Sequence, residues 1–224
     1  MVAPTFLPHD QPYRPTDPPE VEAQKLHSIL SRRRSVREFS DAPVSTETME
    51  WLVQCACSAP SGANKQPWRF VCVQDPDLKR QIRLGAEAEE RALYEHRASE
   101  TWLKDLEPLG TDADKSFLDV APWLVVIFKL SQTDDGGRVY YAEQSIGIAT
   151  GMFLAAAQYA GLATLTHTPS PMAFLGTILN RPDHEKPYML IPVGYPADDC
   201  QVPAHAIERR PLAQSMVIDL GQTP

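Results

Sequence analysis

The chain has 224 residues, 43% of them hydrophobic and 22% charged, which is ordinary for a globular protein and enough for one sizeable core. Its 29 acidic against 21 basic side chains leave a formal charge of -8, which argues against a nucleic-acid partner, since that needs a basic face. Cys55, Cys57, Cys72 and Cys200 make no disulfide framework in a chain of this length, and Cys55-x-Cys57 lacks zinc-ligand spacing, so all four read as small apolar residues in a reducing compartment.

Residues 1–19 are rich in proline and show no apolar run of a secretory signal, so an extended arm is expected there. Residues 20–224 read as a single domain without repeats, low-complexity tracts or a linker. From Pro19 to about Arg32 the spacing of Val21, Leu26, Ile29 and Leu30 predicts a helix. A second helix follows Ser45, a suitable N-cap, although Thr48 three residues on does not complete a capping box. Met49, Leu52, Val53 and Ala56 mark its buried face, and Pro60 ends it. "RFVCVQ" reads as a buried strand stopped by "DPD".

The stretch "DLKRQIRLGAEAEERALYEHR" predicts a long polar helix. Its second half has few large apolar residues, so it packs weakly and suits a mobile, lid-like element. Glu90 and Tyr94 lie four apart on one face of it. "WLVVIFKL" is a strand leading to the turn "SQTDDGGR", and a helix follows from Tyr140 to Tyr159. The apolar run "IGIATGMFLAAAQYAGLA" approaches membrane length, but Thr150, Gln158 and Tyr159 interrupt it and Glu143 precedes it. A buried helix of a soluble protein, with no membrane association, is the expectation. The strand "LATLTH", the helix "PMAFLGTILN", the strand "YMLIPVGY" and an irregular tail from Gln201 complete an α+β domain.

No Gly-x-Gly-x-x-Gly, Walker or Gly-x-Ser-x-Gly sequence is present. The six histidines (His9, His27, His96, His167, His184 and His205) show no metal-ligand spacing, so no metal site is expected. An enzyme with this sequence would carry its reactive group on a bound cofactor. Three stretches offer binding chemistry, each beside a plainer reading. "RRRSVREF" is either a basic helix end facing its dipole or a pair of arginines and a hydroxyl suited to bidentate phosphate contact. "SAPSGANKQPW" is either an ordinary connection or a loop whose small residues, Gly62 and Ala63, let backbone amides approach a flat ligand. In "LTHTPSPM" the hydroxyls either cap the next helix or, with His167, end a strand where a ligand sits.

Taken in order, "RRSVREF", "SAPSGANKQPW", "DPDLKRQIR", "AEERALYEHR", "FLDVAPWLVVIFK", "AGLATLTHTP", "RPDHEKPYMLIPVGYP" and "RRPLAQSMV" resemble the nitroreductase superfamily of flavin enzymes. Within it they are most similar to the iodotyrosine deiodinase family, from about Leu26 onward. The resemblance implies a nitroreductase-like α+β fold, a central mixed sheet flanked by helices, in a domain-swapped homodimer. One FMN would lie at each interface, with residues 202–224 reaching across it. Arg33, Arg34, Ser35 and Arg37 would grip the FMN phosphate, ribityl chain and pyrimidine edge. Ser61, Gly62, Thr166, His167 and Thr168 would line the flavin, and Arg209 would contact it from the tail.

Two residues carry a catalytic role by the same resemblance. The Thr168 hydroxyl would hydrogen-bond the flavin N5 and favour electrons delivered one at a time. The Ala63 backbone N–H would meet the substrate phenolate oxygen. Glu90, Tyr94 and Lys115 would hold the amino-acid zwitterion, although on local sequence alone Glu90 and Lys115 read as solvated surface charge. The implied activity is FMN-dependent reductive dehalogenation of halotyrosines in the cytoplasm, giving tyrosine and halide, with a separate reductase or NAD(P)H as electron donor. A general nitroreductase or quinone reductase is the alternative, and a non-catalytic binder of flavin or aromatic amino acids a more distant one. The sequence departs from the vertebrate deiodinases at "NKQPW" and at His167, where those enzymes tend to have threonine.

Overall fold

A computed structural model describes residues 3–219 and 221. The chain divides into two compact units, one ending at Arg33 and the other beginning at Arg34. In the first unit, helix α1 (Pro19–Leu30) follows the proline-rich arm. Pro19 sits where its missing N–H costs nothing, and Glu20 and Glu22 face the positive end of the helix. The helix stops two residues before Arg32, and none of its residues is fully buried: Val21 and Leu26 of the predicted apolar stripe are exposed, Ile29 and Leu30 half-buried.

The second unit opens with an extended segment that leads into helix α2 (Thr46–Cys57). Ser45 caps α2 as expected, its hydroxyl accepting from the Thr48 amide at 3.1 Å, a contact worth about 1 kcal/mol. Strand β1 (Trp68–Val73) and helix α3 (Pro76–Ala92) follow, then two short helices, α4 (Glu100–Leu106) and α5 (Phe117–Val120), that the sequence pattern does not reveal. Strand β2 (Trp123–Leu130), helix α6 (Ala142–Tyr159), strand β3 (Ala163–Thr164), helix α7 (Ala173–Ile178) and strand β4 (Glu185–Gly194) complete it. The tail from Gln201 carries only short 3-10 turns, and residues 220 and 222–224 of the expected extension lie outside the described residues.

The strands pair in the order β1-β2-β4-β3, each pair antiparallel, and a parallel bridge from Ser35 to Thr164 makes the sheet mixed. Strand β2 explains the layering, because Leu124 to Phe128 are all fully buried. Successive side chains of a strand point to opposite faces, so a continuous apolar run needs cover on both. Val125 and Ile127 join one core with Met49 and Leu52 of α2 and Ile146 and Phe153 of α6. Leu124, Val126 and Phe128 join the other with Ile82 of α3, Leu118 of α5 and Leu175 of α7.

Several boundaries differ from the sequence pattern. The expected strand "LATLTH" pairs as a ladder only at Ala163 and Thr164, and His167 adds a single bridge to Leu190. The helix "PMAFLGTILN" is confined to Ala173–Ile178, and α6 starts at Ala142 because Tyr141 takes a left-handed backbone. Cys55 and Cys57 are exposed rather than packed among apolar residues. No helix of the described residues is long and apolar enough to cross a membrane.

Candidate active site

Asp75 caps α3 by accepting from the Leu78 amide at 2.8 Å. Four-residue spacing then places Ile82, Ala86 and Glu90 on the buried side, so two apolar residues anchor the face that carries a carboxylate inward. The expected single helix through Arg97 does not continue in α form. After Ala92 the chain widens into a π turn over Leu93–Arg97, with the Ala98 amide bonded to the Leu93 carbonyl at 2.8 Å and Arg97 reaching back to Glu89 at 2.9 Å. Tyr94 lies in that turn and donates its hydroxyl to Thr111 Oγ1 at 2.8 Å.

Lys115 enters from the loop before α5. Asp112 and Asp114 fold this loop by accepting from the amides two residues on, at 3.0 and 2.7 Å. Glu87 Oε1 accepts from the Lys115 amide at 3.2 Å, and Lys115 Nζ donates to the Asp112 carbonyl. The side chain thereby arrives opposite Glu90, with Nζ 3.6 Å from Glu90 Oε2. On the far side, His167 Nε2 stands 4.0 Å from Glu90 Oε1. Burial alternates through Leu165, Thr166, His167 and Thr168, so the imidazole turns inward while the two threonines are exposed.

Arg37, Glu90, Tyr94, Lys115, Thr166 and His167 line one cavity of about 130 Å³, together with Thr111 and the apolar side chains of Leu93, Trp102 and Phe117. Burial dominates its electrostatics. It pushes the Glu90 carboxyl up and the Lys115 ammonium down, against their mutual attraction. It lowers the Arg37 guanidinium and raises the Tyr94 phenol. Burial, with Lys115 and Arg37 adding repulsion, depresses His167 to about 3, so the imidazole is neutral at ordinary pH. Its Nε2 is buried without a hydrogen-bond partner. The cavity thus holds a carboxylate with no hydrogen bond closer than 3.6 Å and an ammonium bonded only to a backbone carbonyl, a pattern suited to a ligand bearing the complementary pair.

The loop 61–66 has a different character. Ala63, Asn64 and Gln66 all adopt positive φ, a costly conformation for residues with a Cβ. Hydrogen bonds hold it: Ser61 Oγ accepts from the Gln66 amide at 2.9 Å, and the Gly62 amide donates to Ser145 Oγ at 3.3 Å. Gly62 is required by close approach, since a Cβ there would lie 2.5 Å from the Tyr140 carbonyl oxygen. Ala63 is exposed at the crest.

The remaining expected residues are more dispersed. Ser35 is tied by its backbone to Thr164, and Arg34 begins the second unit while Arg33 ends the first. Arg209 is exposed and donates to the carbonyls of Ala206 and Glu208, at 2.9 and 2.6 Å. Sequence reasoning missed Thr111 and Glu87, which seat Tyr94 and Lys115; the only local signal was the turn-forming "TDAD". It also missed the grouping of Asp134, His184 and Glu185, whose ligand atoms lie within 4.8 Å of one another. There the carboxylates already bind Arg69 and Arg181, so guanidinium groups stand where a cation would.

Residues 30–195 match the model of the nitroreductase family. The chain is 45% identical over 219 residues to the iodotyrosine deiodinase of Haliscomenobacter hydrossis, covering 96% of this chain and 98% of that one. It belongs to the iodotyrosine deiodinases of the nitroreductase family. Human iodotyrosine deiodinase 1 is 44% identical over 200 residues, or 87% of this chain and 68% of the human protein. Among solved structures, oxidized iodotyrosine deiodinase bound to FMN and 3-iodo-L-tyrosine aligns with a TM-score of 0.73 at 28% identity, covering 88% of this chain and all of that one.

Proposed function

We propose that this chain is an FMN-dependent reductive dehalogenase of halotyrosines. The observation that carries the reading is the cavity joining Glu90, Tyr94 and Lys115 to Arg37, Thr166 and His167, in a family of which one solved member holds FMN and 3-iodo-L-tyrosine. The residues suit a flavin. Arg37 is half-buried with its guanidinium held down by desolvation, as fits a group awaiting an anion or a carbonyl oxygen. The loop Ser61–Gly62–Ala63 presents small residues and a strained backbone to one side of a planar ligand. Arg33, Arg34, Ser35 and, from a second subunit, Arg209 complete the proposed FMN contacts in a homodimer.

The chemistry that FMN supplies when bound is delivery of two electrons, one at a time, which with one proton replace the carbon–halogen bond by carbon–hydrogen and release halide. The protein's own part is binding, orientation and exclusion of water. Glu90 takes the ligand ammonium, Lys115 its carboxylate, and the Tyr94 hydroxyl turns from Thr111 toward the same zwitterion. Ala63 N–H supports the phenolate oxygen, which fixes the ring over the cofactor, and the Thr168 hydroxyl faces the flavin. The cavity is smaller than the roughly 300 Å³ at the low end of small-molecule sites, so the wall from Leu93 to Thr111 moves outward to admit the ring and closes over it. The electron donor is a separate reductase or NAD(P)H, and the setting is cytoplasmic.

Anaerobic mixing of the reduced holoenzyme with 3-iodo-L-tyrosine tests this directly. Flavin reoxidation with one iodide released per flavin is expected. Absence of iodide, together with faster turnover of a nitroaromatic, would replace the reading with a general nitroreductase.

A further inference from the structure

The sequence groups His167 with its threonine neighbours beside the flavin, but of the three only the histidine is buried. Its imidazole packs toward Glu90, and its Nε2 is buried, unpartnered and within the cavity. A buried imidazole nitrogen left without a hydrogen bond costs free energy, and such a cost points to a partner that arrives later. Three charged groups surround it: Glu90, Lys115 and Arg37. Only Glu90 can accept a hydrogen bond from it. The separation of 4.0 Å exceeds a hydrogen bond by roughly 1 Å, within reach of a small carboxylate rotation.

Without ligand, Glu90 Oε2 faces Lys115 and Oε1 faces His167. An amino-acid zwitterion rearranges this set, because Lys115 turns to the incoming carboxylate and leaves Glu90 with one protein neighbour. We infer that His167 is a positioning residue for the amino-acid ligand: its Nε2–H takes hold of Glu90 Oε1 as Lys115 leaves, and so presents Oε2 to the ligand ammonium. Being uncharged, the imidazole holds the carboxylate without competing as a cation, and Glu90 keeps its full charge for the ligand. The role selects for the α-ammonium group rather than for the halogen. It deepens the proposed halotyrosine reading and rests on it.

The test measures affinity of the oxidised FMN-loaded enzyme, by flavin fluorescence, for 3-iodo-L-tyrosine and for 3-(4-hydroxy-3-iodophenyl)propionate, which lacks only the ammonium. His167→Leu is expected to weaken iodotyrosine binding about tenfold or more and the propionate less than about twofold. His167→Gln, which restores an N–H donor, recovers most of the loss. If the Leu variant fails to retain FMN, His167→Gln against His167→Met carries the same comparison with two side chains of similar length. Equal losses for both ligands, or an unchanged preference in the donor-free variant, would overturn the inference while leaving the proposed function intact. Wild-type enzyme that binds the two ligands equally would instead remove the zwitterion reading, and this role with it.

Discussion

Glu185 and Glu90 are both glutamates sunk into the same unit, 3% and 8% exposed, yet their surroundings drive them in opposite directions. Arg181 grips Glu185 through two nitrogens at 2.7 and 2.8 Å, and Arg69 adds a third contact at 3.1 Å. Those bonds outweigh burial and hold the Glu185 carboxyl below its usual range. Glu90 has partners only at 3.6 and 4.0 Å, and burial wins, pushing its carboxyl up. A buried charge that is fully paired is part of the framework. One that is loosely paired beside a cavity is waiting for something.

The sharpest way to break this contrast is to remove each carboxylate in turn. Glu185→Ala removes three hydrogen bonds to partly exposed arginines and is expected to cost about 1.5–3 kcal/mol in urea unfolding. Glu90→Gln is expected to change stability less than Glu185→Ala, since its pair with Lys115 is long, Lys115 keeps the Asp112 carbonyl, and the amide leaves a polar group opposite it. The same substitution should weaken 3-iodo-L-tyrosine binding by at least about thirtyfold with FMN retained, measured by fluorescence titration. If Glu90→Gln lost as much stability as Glu185→Ala, the two sites would be framework alike.

A smaller effect reads the cavity through pH. His167 is neutral in the fold down to about 3, whereas in the unfolded chain it takes a proton below 6.5. Its contribution is therefore fully present above pH 6.5 and is lost as pH falls toward 3, at about 1.4 kcal/mol per pH unit well inside that window. Unfolding curves at pH 4.5, 5.5 and 6.5 should show His167→Gln with a slope shallower by that one proton. The least effect belongs to the rim of the Glu185 cluster. Asp134 is 67% exposed, so Asp134→Ala is expected to shift the urea midpoint least of these variants, and less still in high salt.

The framework was more legible in the sequence than the cavity. The runs at β1, β2 and β4 are rich in β-branched and aromatic residues, and Ser45 announced its helix by cap chemistry alone. Helices α4 and α5 escaped because four to seven residues carry too little periodicity to stand out. At the site, spacing gave the shared face of Glu90 and Tyr94, but Lys115 reaches Glu90 only through a loop folded on Asp112 and Asp114. No local pattern encodes that meeting. The π turn was equally hidden, since nothing in "LYEHR" forbids an ordinary α-helix.

The alternation from Leu165 to Thr168 makes this short segment a bulkhead with two separately addressable sides. Odd positions are buried and even positions exposed, so substitution at 167 alters the cavity from its buried side, whereas 166, lining the same cavity, and 168 alter it where solvent reaches. A change of length by a single residue would do what no substitution can, exchanging the imidazole and the hydroxyls between the buried and exposed sides in one step.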